Sequence, residues 1–328
     1  MKILTNIFLA HAALNFAIYY FFDHLKSKIA IYDYPEPEKK IHKKPTLLMG
    51  GWIFLFNLIL FVFLKYFSLS IIEVNILLCS FFFLLVGIAD DKYNLSPYSK
   101  FFSLTFALIV FFSFSENVLI NNIRLYNYNI HLHGDIKIFF SVLCALLFVN
   151  AFNLFDGINL QSIFYGIYFL IFLAFKALFL EIIFFILISL ILVAYLNYKN
   201  KIFMGDSGTL FLGSIISLLV MTNYANKNFH EVDEIFLLMF LPGVDMFRLF
   251  LQRMLSRKNP FMGDREHLHH YLLELYGYRC AIFSILGIAI LPSILNIFID
   301  SKFVIAFFII FYFLFFIFLK KKIIKKSI

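Results

Sequence analysis

The sequence predicts an all-α polytopic membrane protein, on three observations. Hydrophobic residues make up 62% of the chain and charged residues 15%, where a soluble domain is about half apolar and about a quarter charged. Apolar runs of helix length recur eleven times, at about 3–22, 47–66, 71–89, 101–120, 136–151, 162–179, 181–197, 209–223, 235–251, 281–299 and 303–319. The polar breaks between them are short, so residues 1–328 read as a single integral-membrane domain without a separate soluble part or a repeat of fixed period.

The run at 3–22 has one lysine ahead of it and no small-residue cleavage pattern behind it, so it reads as a retained helix and not a signal peptide. Only Lys176 and Glu181 divide the 162–197 stretch into two spans. Cys79, Cys144 and Cys280 all fall inside apolar runs without metal-ligand spacing, so neither a disulfide framework nor a zinc site is indicated. The 48 Phe residues reflect compositional drift. His11, His131 and His133 are structural on this reading.

Orientation follows from the basic residues. With the N-terminus outside, 21 of the 28 Lys and Arg residues lie in inward-facing segments, and the C-terminus is cytoplasmic. The net charge of +8 is mostly this inside bias. It suits anionic lipid heads or a phosphorylated substrate and requires no nucleic acid.

On that topology five unusual polar segments fall on the cytoplasmic side: Lys40-Ile-His-Lys-Lys-Pro45 with Gly50-Gly51, Gly87 to Lys100, Asn150 to Asn159, Phe203 to Gly208, and Asp264 to His270. The outside loops at 117–135 and 223–234 are Asn-rich and unpatterned. One site built on the cytoplasmic face from several helices is the economical reading. Asp90 and Asp91 end an apolar run, where a lipid-facing charge costs about 2.5–3.5 kcal/mol. Side by side they repel, which calls for a bound cation or a raised pKa.

Phosphoryl transfer suits these residue types, because it asks for metal on carboxylates, cations on phosphate oxygens and exposed backbone N–H groups. Asp206, between Gly205 and Ser207-Gly208 at a helix start, offers a hard oxygen ligand beside such N–H groups. Asn153 and Asp156, three apart, would face the same way on one helical turn and complete a Mg²⁺ shell with substrate oxygens and water. Each has a plainer reading: an N-cap turn for Gly-Asp-Ser-Gly, and interhelical hydrogen bonding for Asn150 and Asn153. Their common placement favours the site. His267, His269 and His270 do not match a zinc helix and suit phosphate or sugar contact beside Arg265; a solvated basic loop is the alternative. Asp245 and Arg248, at i, i+3 in an apolar run, read as a structural ion pair.

Across about residues 40–277 these motifs, in this order, resemble the polyprenyl-phosphate N-acetylhexosamine-1-phosphate transferase superfamily. Its bacterial members prime O-antigen, enterobacterial common antigen and teichoic acid synthesis. The resemblance implies transfer of HexNAc-1-phosphate, GlcNAc-1-phosphate being the first candidate, from a UDP-sugar to undecaprenyl phosphate. UMP is released, with Mg²⁺ or Mn²⁺ as cofactor. Enzyme, UDP-HexNAc, undecaprenyl phosphate and lipid bilayer then meet at the bacterial inner membrane, and a homodimer is compatible with the sequence.

In that resemblance Asp206 matches the metal-binding Asp, and Asn153 the Asn that lies against metal and diphosphate. Phe203 matches the aromatic that stacks on uracil. Asp90 and Asp91 match the paired aspartates, the first being a base on the lipid phosphate in some schemes, and Lys100 ends their motif. Asp156 is placed with the catalytic residues and Asn150 with the substrate-binding ones. Arg265, His267, His269 and His270 match the basic His loop, in a form closer to the O-antigen and teichoic-acid enzymes than to the peptidoglycan translocase. One departure stands out. Bacterial members read Asp-Gly-Ile-Asp-Gly-Leu where this chain has Asp156-Gly-Ile-Asn159-Leu-Gln, so Asn159 replaces the second Asp, as in the eukaryotic branch, where that position contacts uracil. A pentapeptide-carrying donor, a secondary transporter and an inactive scaffold are the competing readings. The transporter predicts midplane charges and symmetric halves, neither of which is visible.

Overall fold

The computed structural model describes residues 2–35, 44–126, 128–176, 178–229, 231–259 and 266–327. It is mostly helical: ten of the eleven apolar runs each hold the greater part of one helix, and the run at 235–251 is divided between two. Among the described residues seven helices are long and apolar enough to cross a membrane.

The described residues divide into two compact units. The first covers Met1–Asn122 and His131–Asn228. It contains α1 (Lys2–Tyr20), α2 (Phe22–Ile29), β1 (Tyr32–Asp33), β2 (Thr46–Leu48), α3 (Gly50–Lys65), α4 (Ile71–Tyr93) and α5 (Pro97–Phe114). After a short two-stranded ribbon, β3 (Asn122–Leu125) and β4 (Tyr128–His131), come α6 (Asp135–Leu154), α7 (Gln161–Phe175), α8 (Leu180–Tyr198), β5 (Ile202–Phe203) and α9 (Gly205–Ala225). The second unit, Ile123–Ile130 with Phe229–Ile328, contains α10 (Val232–Leu238), α11 (Phe240–Leu255), α12 (Leu268–Leu295) and α13 (Ser301–Ser327).

Helix α9 is the axis of the first unit, buried along nearly its whole length, whereas most of α5 is not. Helices α3, α4, α6 and α7 pack around it. Close approach of α4 is possible because Gly87 has no side chain; a Cβ there would lie 2.4 Å from Ser207 Cα. The peripheral helices turn residues such as Phe63, Phe102, Phe106 and Phe114 outward, as expected of surfaces solvated by lipid tails.

Local chemistry sets the element ends. Helix α4 starts at a Ser70–Glu73 capping box, with Glu73 N donating to Ser70 Oγ at 3.3 Å and Ser70 N to Glu73 Oε2 at 2.8 Å. It ends at Asn94 in the left-handed region (φ 50°). Two residues on, Ser96 caps α5 and Pro97 takes its first position. That cap starts the helix four residues before the apolar run at 101–120, and Phe114 ends it early. Hydropathy does not register such caps, so the expected span is displaced. The run at 235–251 is likewise split at Met239 into α10 and α11.

Strand β2 pairs in parallel with β5, Leu47 opposite Ile202 and Leu48 opposite Phe203, and antiparallel with β1. This small sheet brings the start of α3, at Gly50-Gly51, against Met204 and Ser207. In the second unit α12 is kinked at Gly277 (φ 75°), and α10, α11 and α13 pack against it.

Candidate active site

Three helices of the first unit, α4, α5 and α6, deliver polar side chains to the N-terminus of α9. From α5, Lys100 Nζ donates to Asp90 Oδ2 on α4 at 2.8 Å and to Asp206 Oδ2 at 2.5 Å. Asp90 Oδ1 also accepts from the backbone N–H of Leu95 at 2.8 Å, which ties the carboxylate to the α4–α5 turn. From α6, the Asn153 amide faces the Asp206 carboxylate, and its Oδ1 accepts from Thr209 Oγ1 at 2.5 Å. Asp90, Lys100, Asp206 and Asn153, all expected site residues, are therefore brought together.

Asp91, expected among the catalytic residues, engages the start of α9. Its Oδ1 accepts from Asp206 N at 2.7 Å, and its Oδ2 from Ser207 N at 3.1 Å and Ser207 Oγ at 2.6 Å. With both oxygens engaged it caps α9 from a neighbouring helix, where a carboxylate also meets the positive end of the helix dipole. Gly205 makes this possible. It sits at φ 72°, and a Cβ there would lie 2.7 Å from Asp91 Oδ2.

Asp156 corrects an expectation of local geometry. Helix α6 ends at Leu154, so Asn153 and Asp156 do not share a helical turn. Asp156 lies in the α6–α7 loop, where its Oδ1 accepts from Ser162 Oγ at 2.5 Å. Burial, joined by the Asp206 charge and opposed by the Ser162 hydrogen bond, pushes its carboxyl up to about 6. Its folded pKa thus exceeds its unfolded value. Between about pH 4 and 6 the folded chain keeps a proton that the unfolded chain releases, and stability from this group is lost as pH rises through that window.

Asn150 lies one turn before Asn153 on α6, half-buried. Phe203 ends β5, two residues before α9. Asn159 reaches away from this cluster: its Nδ2 donates to Asn200 Oδ1 at 2.7 Å and to Asn197 O at 3.3 Å. Asn197 in turn accepts from Leu160 N at 2.8 Å and donates to Ile202 O at 3.0 Å. The Asn in place of the usual Asp is thereby explained locally, since a carboxylate could not donate to these two oxygens. Asn159→Asp is expected to lower stability by about 1 kcal/mol, by loosening the loop that leads to Phe203; Asn159→Asp with Asn200→Lys should recover most of that loss in the same thermal denaturation assay.

The donors fit a hard divalent cation. Asp90, Asp91 and Asp156 lie near Asp206, but Asp91 is engaged at the start of α9 and Asp156 with Ser162, so few carboxylate oxygens are open, all of them hard donors. Among the described residues no three His, Cys, Asp or Glu side chains are grouped to hold a metal. Asp206 and Asn153 would therefore supply two ligands, with substrate oxygens and water completing the shell, a pattern usual for Mg²⁺.

In the second unit, His267 is the N-cap residue of α12, with His269 and His270 in its first turn. His267 and His269 stack at 5.3 Å and 8°. Asp245 and Arg248 form the ion pair expected, at 2.8 Å. Arg265 and the Lys40 to Lys43 part of the first motif lie outside the described residues. Sequence reasoning missed Ser162, Ser207 and Thr209 as partners of the carboxylates and amide. It also missed Tyr312 Oη, which donates to Asp245 Oδ1 at 2.6 Å. A single hydroxyl within the Phe-rich 303–319 run was the available signal.

Comparison with known proteins bears on this cluster directly. The glycosyl transferase family 4 profile matches residues 74–223, which include every first-unit site residue described above. A Bacillus subtilis (strain 168) protein named "Probable undecaprenyl-phosphate N-acetylglucosaminyl 1-phosphate transferase" is 26% identical over 283 residues, 84% of this chain and 78% of that one. An undecaprenyl-phosphate alpha-N-acetylglucosaminyl 1-phosphate transferase of Salmonella typhi is 25% identical over 261 residues, 75% and 70% of the two chains. A phospho-N-acetylmuramoyl-pentapeptide-transferase of Dictyoglomus thermophilum is 28% identical over 267 residues, 74% and 79%.

Proposed function

From the premise that the chain belongs to glycosyl transferase family 4, we propose that it transfers HexNAc-1-phosphate from a UDP-sugar to undecaprenyl phosphate, giving undecaprenyl-diphospho-HexNAc and UMP. GlcNAc-1-phosphate is the first candidate, in keeping with the names of the Bacillus and Salmonella relatives. The single observation that carries the reading is the placement of Lys100 between Asp90 and Asp206 at the start of α9. It pairs a cation for phosphate oxygens with carboxylates in excess.

In this mechanism an oxygen of the lipid phosphate attacks the β-phosphorus, and the bond to the bridging oxygen breaks as UMP leaves. Bound at Asp206 and Asn153, Mg²⁺ would neutralise diphosphate charge. Lys100 would meet phosphate oxygens beside Asp206, whose side chain is 32% exposed against 12% for Asp90. Asp90 holds Lys100 in place. A base role for Asp90 is secondary, because a phosphate monoester is already largely ionised at pH 7. Asp91 fixes the N-terminus of α9, and Phe203 offers a ring face to uracil. Eleven spans, an outside N-terminus and a cytoplasmic-face site in the bacterial inner membrane complete the proposal.

The Dictyoglomus relative favours one second reading, a UDP-MurNAc-pentapeptide donor. One assay separates the two. Purified protein in detergent is given undecaprenyl phosphate, Mg²⁺ and a panel of UDP-sugars, and UMP is measured. Release with a UDP-HexNAc, abolished by EDTA, is expected. Release only with UDP-MurNAc-pentapeptide establishes the second reading, and silence across the panel from folded protein overturns both.

A further inference from the structure

Asp245 does more than pair with Arg248. Its Oδ2 lies 2.8 Å from Nδ1 of His267, while Oδ1 accepts from Arg248 Nη2 at 2.8 Å and from Tyr312 Oη at 2.6 Å. The tyrosine oxygen in turn accepts from Arg248 Nε at 2.8 Å. Arg248 also reaches the backbone just ahead of the histidine, donating from Nη2 to Glu266 O at 2.6 Å, and its guanidinium lies 3.9 Å from the centroid of the Phe316 ring. These groups are buried, with Asp245 and His267 both 7% exposed and Tyr312 0%. Helices α11 and α13 thus converge on one imidazole and on the peptide that precedes it.

The chemistry of the contact fixes the proton. An ionised carboxylate only accepts, so the ring nitrogen facing it must carry hydrogen. His267 Nδ1 is therefore a donor in both the neutral and the charged ring, which leaves Nε2 for a ligand. Arg248 and Tyr312 hold the carboxylate still, and the stacked His269 ring limits rotation of the imidazole. Neither an ion pair alone nor a solvated basic loop needs this arrangement.

We propose that Asp245 is a positioning residue for His267: it holds the ring by Nδ1–H, so that Nε2 is the atom presented to a phosphate oxygen, donating to it when the ring is protonated. The role of His267 in this statement rests on the phosphosugar-transferase reading above; the fixed tautomer does not.

The experiment uses full-length protein in nanodiscs with ¹⁵N-labelled histidine. The His267 signals are identified by their loss in His267→Gln, and spectra are recorded at a pH where the ring is neutral. The expected wild-type tautomer carries its proton on Nδ1. In Asp245→Asn the amide N–H can donate to Nδ1 and shift the proton to Nε2, and kcat for UMP release should fall by at least ~100-fold while the KM for the UDP-sugar stays within ~3-fold. Tyr312→Phe keeps the Asp–His pair and should keep the tautomer, with a loss below ~10-fold. An Nε2-protonated wild-type ring overturns the proposal, even if Asp245→Asn fails to fold. Near-wild-type turnover in folded Asp245→Asn overturns it too. If wild-type protein releases no UMP from any donor, the transferase reading fails, and the spectra still decide the Asp–His pair.

Discussion

Asp206→Ala is expected to lower UMP release by at least ~10³-fold while leaving the protein folded. On the proposed mechanism, loss of the carboxylate assigned to the metal would remove charge neutralisation at the transferring phosphoryl group, an effect of several kcal/mol in sites of this kind. The structure adds why the fold should survive. Asp206 does not cap its own helix; that task belongs to Asp91, through the N–H groups of Asp206 and Ser207, and alanine keeps both. Lys100 retains Asp90 at 2.8 Å, so no buried ammonium is left alone. UMP release and a thermal denaturation curve on the same preparation check both halves. Retained turnover would remove Asp206 from the chemistry, and a collapsed melting curve would give it a structural part instead.

Asp91→Asn is expected to show the reverse balance, with stability and activity falling together. Asp91 accepts three hydrogen bonds, two from backbone N–H groups and one from Ser207 Oγ. An amide has one oxygen for this task and would turn an NH₂ toward one of those donors. Hydrogen bonds to charged groups contribute roughly 1.5–3 kcal/mol each, and leaving a buried donor unmet costs a similar amount. A drop in melting temperature with at least ~100-fold less activity is the expected result. Gly205→Ala should reproduce it from the other side of the contact, because φ 72° strains alanine and its Cβ would lie 2.7 Å from Asp91 Oδ2. If either variant melts like wild type, Asp91 does not set the start of α9.

The same two aspartates show what the sequence could reveal. Their adjacency at the end of an apolar run was enough to mark a site, because hydrophobic patterning is local. It could not divide their roles. Successive residues on a helix point about 100° apart, so Asp90 faces Lys100 while Asp91 faces the backbone of α9. Which neighbour each meets is a tertiary fact. Asn153 and Asp156 make the point in another way: i, i+3 spacing implies a shared face only inside a helix, and α6 ends between them. Asp245 was legible as half of an ion pair because Arg248 is three residues away. His267, 22 residues on, and Tyr312, 67 residues on, were not. For the fold, composition and run length located the helices, whereas the Ser96–Pro97 cap and the break at Met239 moved their ends.

The product distinguishes transfer of a phosphosugar from transfer of a sugar alone, and mass spectrometry of the lipid after incubation with undecaprenyl phosphate, Mg²⁺ and UDP-GlcNAc reads it directly. The expected species is undecaprenyl diphosphate bearing one HexNAc, formed together with UMP and missing with Asp206→Ala. A monophosphate-linked sugar lipid accompanied by UDP would contradict attack at the β-phosphorus and, with it, the part assigned to Lys100, Asp90 and Asp206.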